Sequence, residues 1–320
     1  MEKKRRSKKP KLYVIGVDAG GTKTDVALAD LRGKILAITR PGSASPRNLG
    51  IEESVFNIAK GIKEVLKKTR KGGKIISTFV ALPSIEEEYK ERKGDILEKL
   101  KEQKGISKIL KGKILIGSDQ IAAFRSGTKG KDGVLLIAGT GCVAHGWKGE
   151  KEAKISGWGW LADEGSAFWV GQKVFQTILK NLDKRGSETF LTELAFREFK
   201  TKDKIELLKR IYSQNPTEIV PKFSIICDKA SKKGDRIAKR IMAEAGKELA
   251  LAAKKVIQEL KFQRIKFPLV LIGSMFKSKI VLNKIKKDIK KIAPKAQFIR
   301  PREGPVRGAI RLAIDDLKWK

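Results

Sequence analysis

Residues 14–30, VIGVDAGGTKTDVALAD, place an acidic residue and a pair of glycines between two apolar runs. The apolar runs predict two strands and the glycines predict a tight turn, so we expect a β-hairpin. Glycines let backbone amides approach an anion closely, and a carboxylate at a strand end can face a hydrated divalent cation. The segment is therefore typical of a phosphate-binding hairpin, although an ordinary glycine turn fits the same pattern. The residues that would carry this chemistry are Asp18, Gly20, Gly21, Thr22, Lys23 and Thr24.

A second segment, residues 133–148, repeats this design. An apolar run at 134–137 precedes the turn Ala138-Gly139-Thr140-Gly141, and a second short run follows the turn. The turn also matches the glycine pattern of a dinucleotide-binding fold, which would have to open a helix. Gly146 and Gly149 follow too closely for a helix, so a hairpin is the better prediction.

The length and composition favour two lobes. At 320 residues the chain exceeds the roughly 250 to 300 residues at which single cores stop growing, and 41% hydrophobic residues suffice for two cores. Only two cysteines are present, Cys142 and Cys227, which argues against a disulfide framework or a zinc cluster and favours a reducing compartment. Because no apolar segment reaches the roughly 20 residues of a membrane-spanning helix, we expect a soluble, cytoplasmic protein with no membrane partner.

The chain is strongly basic, with 71 Lys and Arg against 36 Asp and Glu and a net charge of +35. Such a charge raises the question of nucleic acid or an anionic membrane as a partner. The lysines are spread over polar helix faces, as at 280–292, and no basic stretch carries regularly interleaved aromatics, so we expect no dedicated nucleic-acid site. Residues 1–11 form a basic tail that we expect to be disordered, with weak polyanion binding as the alternative.

Strands and helices alternate in the pattern of an α/β protein. Residues 51–70 show amphipathic helical spacing, 74–82 a strand pattern, and 113–117 a short strand that ends at Ser118 and Asp119. Farther along the chain the same criteria predict a helix over 166–182, mostly helical structure over 189–260, a strand over 268–272, and helices over 279–292 and 308–317.

Four elements stand in a fixed order: the hairpin 14–30, the strand ending at Asp119, the hairpin 133–148, and the strand and turn 269–276. In that order they resemble the ATPase signature shared by sugar kinases, actin and the heat-shock chaperone ATPases. Within that superfamily the chain looks like the N-acetylglucosamine kinase group, which is grouped with the benzoyl-CoA reductase activator-type ATPases. The motifs that favour this group are Ser118-Asp119-Gln-Ile-Ala-Ala123, Gly157-Trp158-Gly159, Asp163-Glu164-Gly165-Ser166, Gly234-Asp235 and Ala245-Gly246-Lys-Glu-Leu249.

The resemblance implies an α/β, two-lobed actin-like ATPase fold. Each lobe would be a mixed sheet of ribonuclease-H-like type flanked by helices. The implied organisation is a basic tail at 1–11, an N-terminal lobe at 12–118 completed by a closing helix at 305–320, and a C-terminal lobe at 119–304.

The resemblance also implies a division of roles for ATP, Mg²⁺ and the acceptor. Asp18 would hold Mg²⁺ through water, and Asp119 would accept the proton of the attacking sugar hydroxyl. This division suits phosphoryl transfer, in which alignment and charge neutralisation supply most of the catalysis. From its position alone, Asp119 would equally suit a helix N-cap. The implied nucleotide contacts are Gly20, Gly21, Thr22 and Lys23 in the first hairpin, Gly139, Thr140 and Gly141 in the second, and Gly273 and Ser274 near the adenosine.

Substrate contacts follow from two further segments of the resemblance. The family's sugar-binding asparagine falls in a Gly-Pro-Ala-Asn turn, and this chain has Ser45 at that position, with Asn48 close by. In the tryptophan-rich loop, Trp158 would pack on the sugar and Asp163 would bond its hydroxyls; a core aromatic and a capping acid are the alternatives.

The leading hypothesis is an ATP-dependent kinase of an amino sugar such as N-acetylglucosamine or glucosamine, acting as a homodimer. The main alternative is an ATPase that activates a partner enzyme. Reductase activators of that type hold an iron–sulfur cluster by a cysteine just before the Ala-Gly-Thr-Gly turn, whereas Cys142 follows it. A third class, a binding protein that uses ATP only as a switch, would lack a base such as Asp119. Cys142 is expected to pack, and His145 to point off the returning strand without a catalytic part.

Overall fold

The computed structural model describes residues 10–21, 23–68, 73–85 and 89–319. Its strands are β1 (Lys11–Ala19), β2 (Thr24–Asp30), β3 (Ile35–Thr39), β4 (Gly73–Leu82), β5 (Lys113–Ser118), β6 (Gly133–Ala138), β7 (Cys142–Lys148), β8 (Lys151–Ser156), β9 (Phe267–Ile272) and β10 (Ala296–Ile299). Its helices are α1 (Pro46–Lys67), α2 (Lys93–Glu102), α3 (Ile106–Ile109), α4 (Asp119–Gly127), α5 (Ala167–Leu182), α6 (Phe190–Phe199), α7 (Lys204–Tyr212), α8 (Pro216–Ile219), α9 (Lys222–Lys232), α10 (Arg236–Glu259), α11 (Lys279–Lys290) and α12 (Val306–Asp315).

The chain divides into two units, Met1–Gly130 with Pro301–Lys320, and Lys131–Arg300. Helix α4 belongs to the first unit because it packs against α12 and against strands β4 and β5. The sequence-based boundary before residue 119 therefore lies one helix too early. The predicted tail also needs correction at its end, since Lys11 begins β1 and pairs with Gly73 of β4. Residues 1–9 of that tail lie outside the described part of the chain.

The first unit is built on a five-stranded mixed sheet with the order β3-β2-β1-β4-β5. Strands β1 and β2 form the predicted antiparallel hairpin, whereas β1, β4 and β5 run parallel. Asp18 is aligned with Ala81 of β4, and Leu82 is aligned with Ser118 of β5. The carboxyl ends of the three parallel strands therefore meet at one edge of this sheet.

Helices cover both faces of the first sheet, which is why β1 reads as a continuous apolar run rather than an alternating one. Ile15 and Val17 of β1 face a core that includes apolar residues of α1, α2 and α3. Val14 faces the opposite core, to which α4 and α12 contribute Ala122 and Ile310. Both layers thus hold β1, the strand that carries Asp18 near its end.

The second unit repeats the plan, with the sheet order β10-β9-β6-β7-β8. Ala138 at the end of β6 pairs with Cys142 at the start of β7, so the hairpin prediction is confirmed and the dinucleotide-fold alternative is wrong. Strand β9 runs parallel to β6, with Ile272 beside Ile137. Helix α10 packs on β6, β7 and β8, and α11 packs on α10. Two mixed five-stranded sheets flanked by helices confirm the predicted fold class.

Among the described residues, no helix is both long enough and apolar enough to cross a membrane.

Candidate functional site

The tip of the first hairpin is a tight turn. Strand pairing ends at Ala19 and Thr24, and a Cβ atom at Gly20 would lie 2.6 Å from the carbonyl oxygen of Lys23. Only glycine fits there, because real Cβ atoms do not approach an oxygen so closely. Thr22, which the sequence assigned to the phosphate, lies outside the described residues. Gly21 and Lys23 on either side of it are exposed, as an anion-binding hairpin requires.

The segment that enters α1 is bonded to this tip. The Ser43 Oγ and the Ala44 amide both donate to the Gly20 carbonyl, at 3.1 and 3.2 Å, and the Asn48 Nδ2 donates to the Gly21 carbonyl at 3.3 Å. Ser45 is buried, and its carbonyl accepts the Asn48 amide at 3.1 Å. The two predicted substrate residues of the first unit thus lie beside the predicted phosphate turn, while their contact with a sugar stays a prediction.

Two carboxylates lie at the edge where the parallel strands end. Asp18 is half-buried near the end of β1, and Asp119 is half-buried as the first residue of α4, directly after β5. Burial and the charge of Asp119 raise the pKa of Asp18 to about 7; Asp25 adds to this rise and Lys23 opposes it. The edge therefore concentrates negative charge, which a cation would relieve.

Ser118, rather than Asp119, is the N-cap of α4. Its Oγ accepts the Gln120 amide at 3.0 Å, and its backbone is extended. The N-cap alternative for Asp119 is therefore wrong, because Asp119 is already inside the first helical turn. A carboxylate in that turn is favoured by the partial positive charge of the helix N-terminus.

The donor set at this edge fits Mg²⁺. Carboxylate oxygens are the ligands that Mg²⁺ prefers, and this ion keeps several waters while using only one or two protein carboxylates. Within the described ranges no group of three or more His, Cys, Asp or Glu side chains converges as a metal cage. A single carboxylate such as Asp18, acting through water, is the kind of attachment that this arrangement allows.

In the second unit, the turn between β6 and β7 is tied to the start of α5. The Gly139 amide donates to the Gly141 carbonyl at 2.9 Å, and the Gly139 carbonyl accepts the Ala167 amide at 2.8 Å. Thr140 is exposed at the tip of the turn. The three predicted residues thus form one short backbone arch whose outer side is open.

Gly273 lies beside the start of this arch. Its φ of +127° belongs to the region that glycine favours, and a Cβ atom there would overlap the carbonyl of Ala138. Ser274 follows as the exposed first residue of a short 3₁₀ turn. Gly273 therefore lies against Ala138, the residue directly before the turn at 139–141, within the second unit; its place near an adenosine stays a prediction.

Asp163 organises the tryptophan-rich loop. It is buried, its Oδ1 accepts the amides of Gly157 and Trp158, each at 3.0 Å, and its Oδ2 accepts the Cys142 amide at 3.0 Å. A Cβ atom at Gly141 would lie 2.7 Å from that same Oδ2. Asp163 thus anchors the loop to the second hairpin, a role that the sequence analysis reached only as the capping alternative; its contact with a sugar stays a prediction.

The tryptophans of this loop differ in their surroundings. Trp158 is 85% exposed, so the core-aromatic alternative is wrong for it. Trp160 packs on Phe168, with ring centroids 4.5 Å apart, and holds the loop to α5. Leu161, 71% exposed, was not singled out from the sequence. An exposed tryptophan on an anchored loop is available to stack on a ligand.

Cys142 and His145 have structural roles within the second unit. Burial, reinforced by the charge of Asp163, raises the pKa of Cys142 to about 12, and its Sγ donates to the Glu164 carbonyl at 3.2 Å. His145 is buried on β7, where its Nε2 lies 2.5 Å from the Glu152 Oε1 and its ring lies 4.1 Å from that of Trp147. Both side chains are engaged in packing and pairing, as the sequence analysis expected for Cys142.

Comparison with known proteins gives relatives along nearly the whole chain. The N-acetylmuramic acid/N-acetylglucosamine kinase of Clostridium acetobutylicum is 29% identical over 305 residues, which cover 94% of this chain and 98% of the relative. The N-acetyl-D-glucosamine kinase of Dictyostelium discoideum is 29% identical over 95% of this chain and 98% of the relative.

A solved structure from Chromobacterium violaceum, of a protein proposed to be an N-acetylglucosamine kinase, has the same fold. The TM-score is 0.72 at 19% identity, and the match covers 94% of this chain and 98% of that one. The family described as BadF/BadG/BcrA/BcrD ATPase matches residues 15–312, which is most of the sequence. The chain therefore belongs to the BadF/BadG/BcrA/BcrD ATPase family.

Proposed function

We propose that the chain is an ATP-dependent kinase that phosphorylates a hydroxyl of an amino sugar, such as N-acetylglucosamine or glucosamine. The observation that carries this proposal is the pair of carboxylates Asp18 and Asp119 at one edge of the first sheet, next to a glycine turn. Membership of an ATPase family and the named kinases among the relatives support ATP as the phosphoryl donor.

In the proposed reaction the sugar hydroxyl oxygen attacks the γ-phosphorus of ATP. A new P–O bond forms to the sugar, the bond between the γ-phosphorus and the β–γ bridging oxygen breaks, and ADP leaves with that electron pair. The hydroxyl proton passes to a carboxylate oxygen of Asp119. Because the transition state is loose, the base assists late, and alignment of the hydroxyl contributes most.

The remaining residues would bind and orient. Backbone amides of Gly20 and Gly21, and separately those of Gly139 and Gly141, are proposed to donate to phosphate oxygens. Asp18 would hold Mg²⁺ through water, and this ion would supply neutralisation of phosphate charge when bound. For this role the Asp18 carboxylate must be ionised. A bound cation favours the ionised form, whereas burial and nearby carboxylates raise the pKa of Asp18.

Candidate contacts with the acceptor are proposed in each unit separately. Asn48 lies beside the first glycine turn through its bond to Gly21, and Trp158 offers an exposed ring on an anchored loop. Aromatic rings bind sugars through their apolar faces, while polar side chains fix the hydroxyls. Ser45, buried where the family has asparagine, is proposed to alter the choice among amino sugars rather than the chemistry.

The test is a coupled assay of ADP release with Mg²⁺-ATP over a panel of hexoses, amino sugars and N-acylated sugars. We expect at least one amino sugar to stimulate ADP release, and Asp119→Asn to reduce that stimulation by about 10²- to 10⁴-fold while ATP binding persists. Asp95→Asn is the matched control, because Asp95 is also an acid in the first turn of a helix, α2. Basal hydrolysis that no sugar stimulates would overturn the proposal and favour the partner-activating ATPase.

A further inference from the structure

Helix α12 makes direct backbone contact with both elements that carry the two carboxylates. A Cβ atom at Gly16, two residues before Asp18 in β1, would lie 2.7 Å from the Ile310 amide nitrogen of α12. A Cβ atom at Gly308 would overlap the Ala122 carbonyl of α4. Two glycines thus let one helix lie against the strand that ends near Asp18 and against the helix that begins at Asp119.

Arg311 of α12 then closes the far end of α4. Its Nη1 donates to the carbonyls of Arg125, Ser126 and Thr128, at 2.6, 3.0 and 3.4 Å. The last carbonyls of a helix have no intrahelical partner, so this guanidinium satisfies groups that water would otherwise solvate. It also opposes the partial negative charge of that helix end. Arg311 therefore fixes α4 along its own axis.

A second contact joins the same two helices. Arg125 is 4% exposed, pairs with Asp315 of α12, and donates from Nη2 to the Lys129 carbonyl at 3.1 Å. Helix α4 has nine residues and is only about 13 Å long. A rigid helix of that length transmits a shift of its last turn to its first residue, which is Asp119.

We propose that α12 sets the position of Asp119 toward the sugar hydroxyl, with Arg311 as a positioning residue for phosphoryl transfer. The inference rests on the proposed function, because it takes Asp119 as the base. Arg311 touches no substrate in this scheme; it acts through the backbone of α4. Loss of its contacts lets α4 slide, and the carboxylate then meets the hydroxyl out of alignment.

The experiment compares Arg311→Gln with Arg307→Gln. Arg307 lies one helical turn earlier on α12. It donates to the Gly33 carbonyl at the β2–β3 turn and pairs with Glu303 at 2.9 Å. Arg307→Gln therefore removes the same charge from α12 but keeps the hydrogen bonds that Arg311 makes to α4. The measurements are Tm, kcat, and KM for ATP and for the sugar. We expect Arg311→Gln to lower kcat about 10- to 100-fold with both KM values within about threefold.

Arg307→Gln should leave kcat within about twofold at a comparable loss of Tm, and Arg311→Lys, which keeps a charged donor, should restore part of kcat. Equal kcat values for the two glutamine variants would overturn the inference. Should Arg311→Gln fail to fold, Asp315→Asn replaces it, and a kcat unchanged from wild type overturns the inference in that case too. A wild-type protein that phosphorylates no sugar instead overturns the proposed function itself, and the inference with it.

Discussion

Replacing Asp18 by asparagine is expected to stabilise the protein at neutral pH in the absence of metal. Burial and the neighbouring carboxylate of Asp119 raise the pKa of Asp18 from 3.8 to about 7. The folded state therefore keeps a proton that the unfolded chain releases near pH 4. Stability from this group is fully present below about pH 4 and is lost as the pH rises to about 7, where the folded state must also ionise.

The size of the effect follows from the shift. About three pKa units correspond to an upper limit of about 4 kcal/mol, at about 1.4 kcal/mol per unit. Asp18 keeps part of its surface exposed, so water screens part of this penalty, and we expect about 2 to 4 kcal/mol. Asparagine has nearly the same shape and no charge. The free energy of unfolding of Asp18→Asn should therefore exceed that of wild type by this amount at pH 8, and the difference should fall toward zero near pH 4.

The assay is urea denaturation followed by circular dichroism between pH 4.5 and 8, with EDTA present so that no divalent ion neutralises the site. Glu98→Gln is the control, since it removes an exposed carboxylate from α2 of the same unit. A stability difference between Asp18→Asn and wild type that stays constant over this range, or a variant less stable at pH 8, would refute the electrostatic reasoning.

Two further predictions concern the second unit. Asp163→Ala leaves three backbone amides without their acceptor. We expect it to lower the free energy of unfolding by about 3 kcal/mol and to speed amide hydrogen exchange over 157–165. Unchanged exchange would show that the loop keeps its conformation without Asp163. Burial raises the pKa of Cys142 to about 12, so its thiol should react with a disulfide reagent at pH 8 only after urea is added. Rapid labelling of Cys142 in the native protein would contradict this burial.

The central hairpins were predictable because glycine and the apolar runs act locally. Gly20 and Gly139 mark turns between strands whose side chains are buried on both faces, and such runs stand out in any sequence. The edge strands β3, β8 and β10 were not among the predicted elements. Strands β3 and β10 have only five and four residues, and β8 (KEAKIS) is mostly polar, so none of the three shows the long apolar run that marks a buried strand.

The positions of the two acidic residues could be predicted from the sequence, whereas the contacts that hold the candidate site in place could not. Asp18 and Asp119 were singled out by a resemblance that fixes the order of the strands, and they lie near the end of β1 and directly after β5; their roles stay predictions. The anchoring bonds of Asp163 and the cap that Arg311 gives to α4 depend on contacts between residues up to 186 positions apart. Such contacts leave no local pattern, since an arginine on a helix looks the same whether it meets water or another helix's carbonyls.

The position of α12 in the sequence also has a consequence for synthesis on the ribosome. The second unit is one continuous stretch, whereas the first needs α12 to cover the face of β1 at Gly16. About 180 residues separate the end of α4 from the start of α12, which is about 10 to 35 s of translation at roughly 5 to 20 residues per second. The half of the protein that is made first therefore becomes complete last.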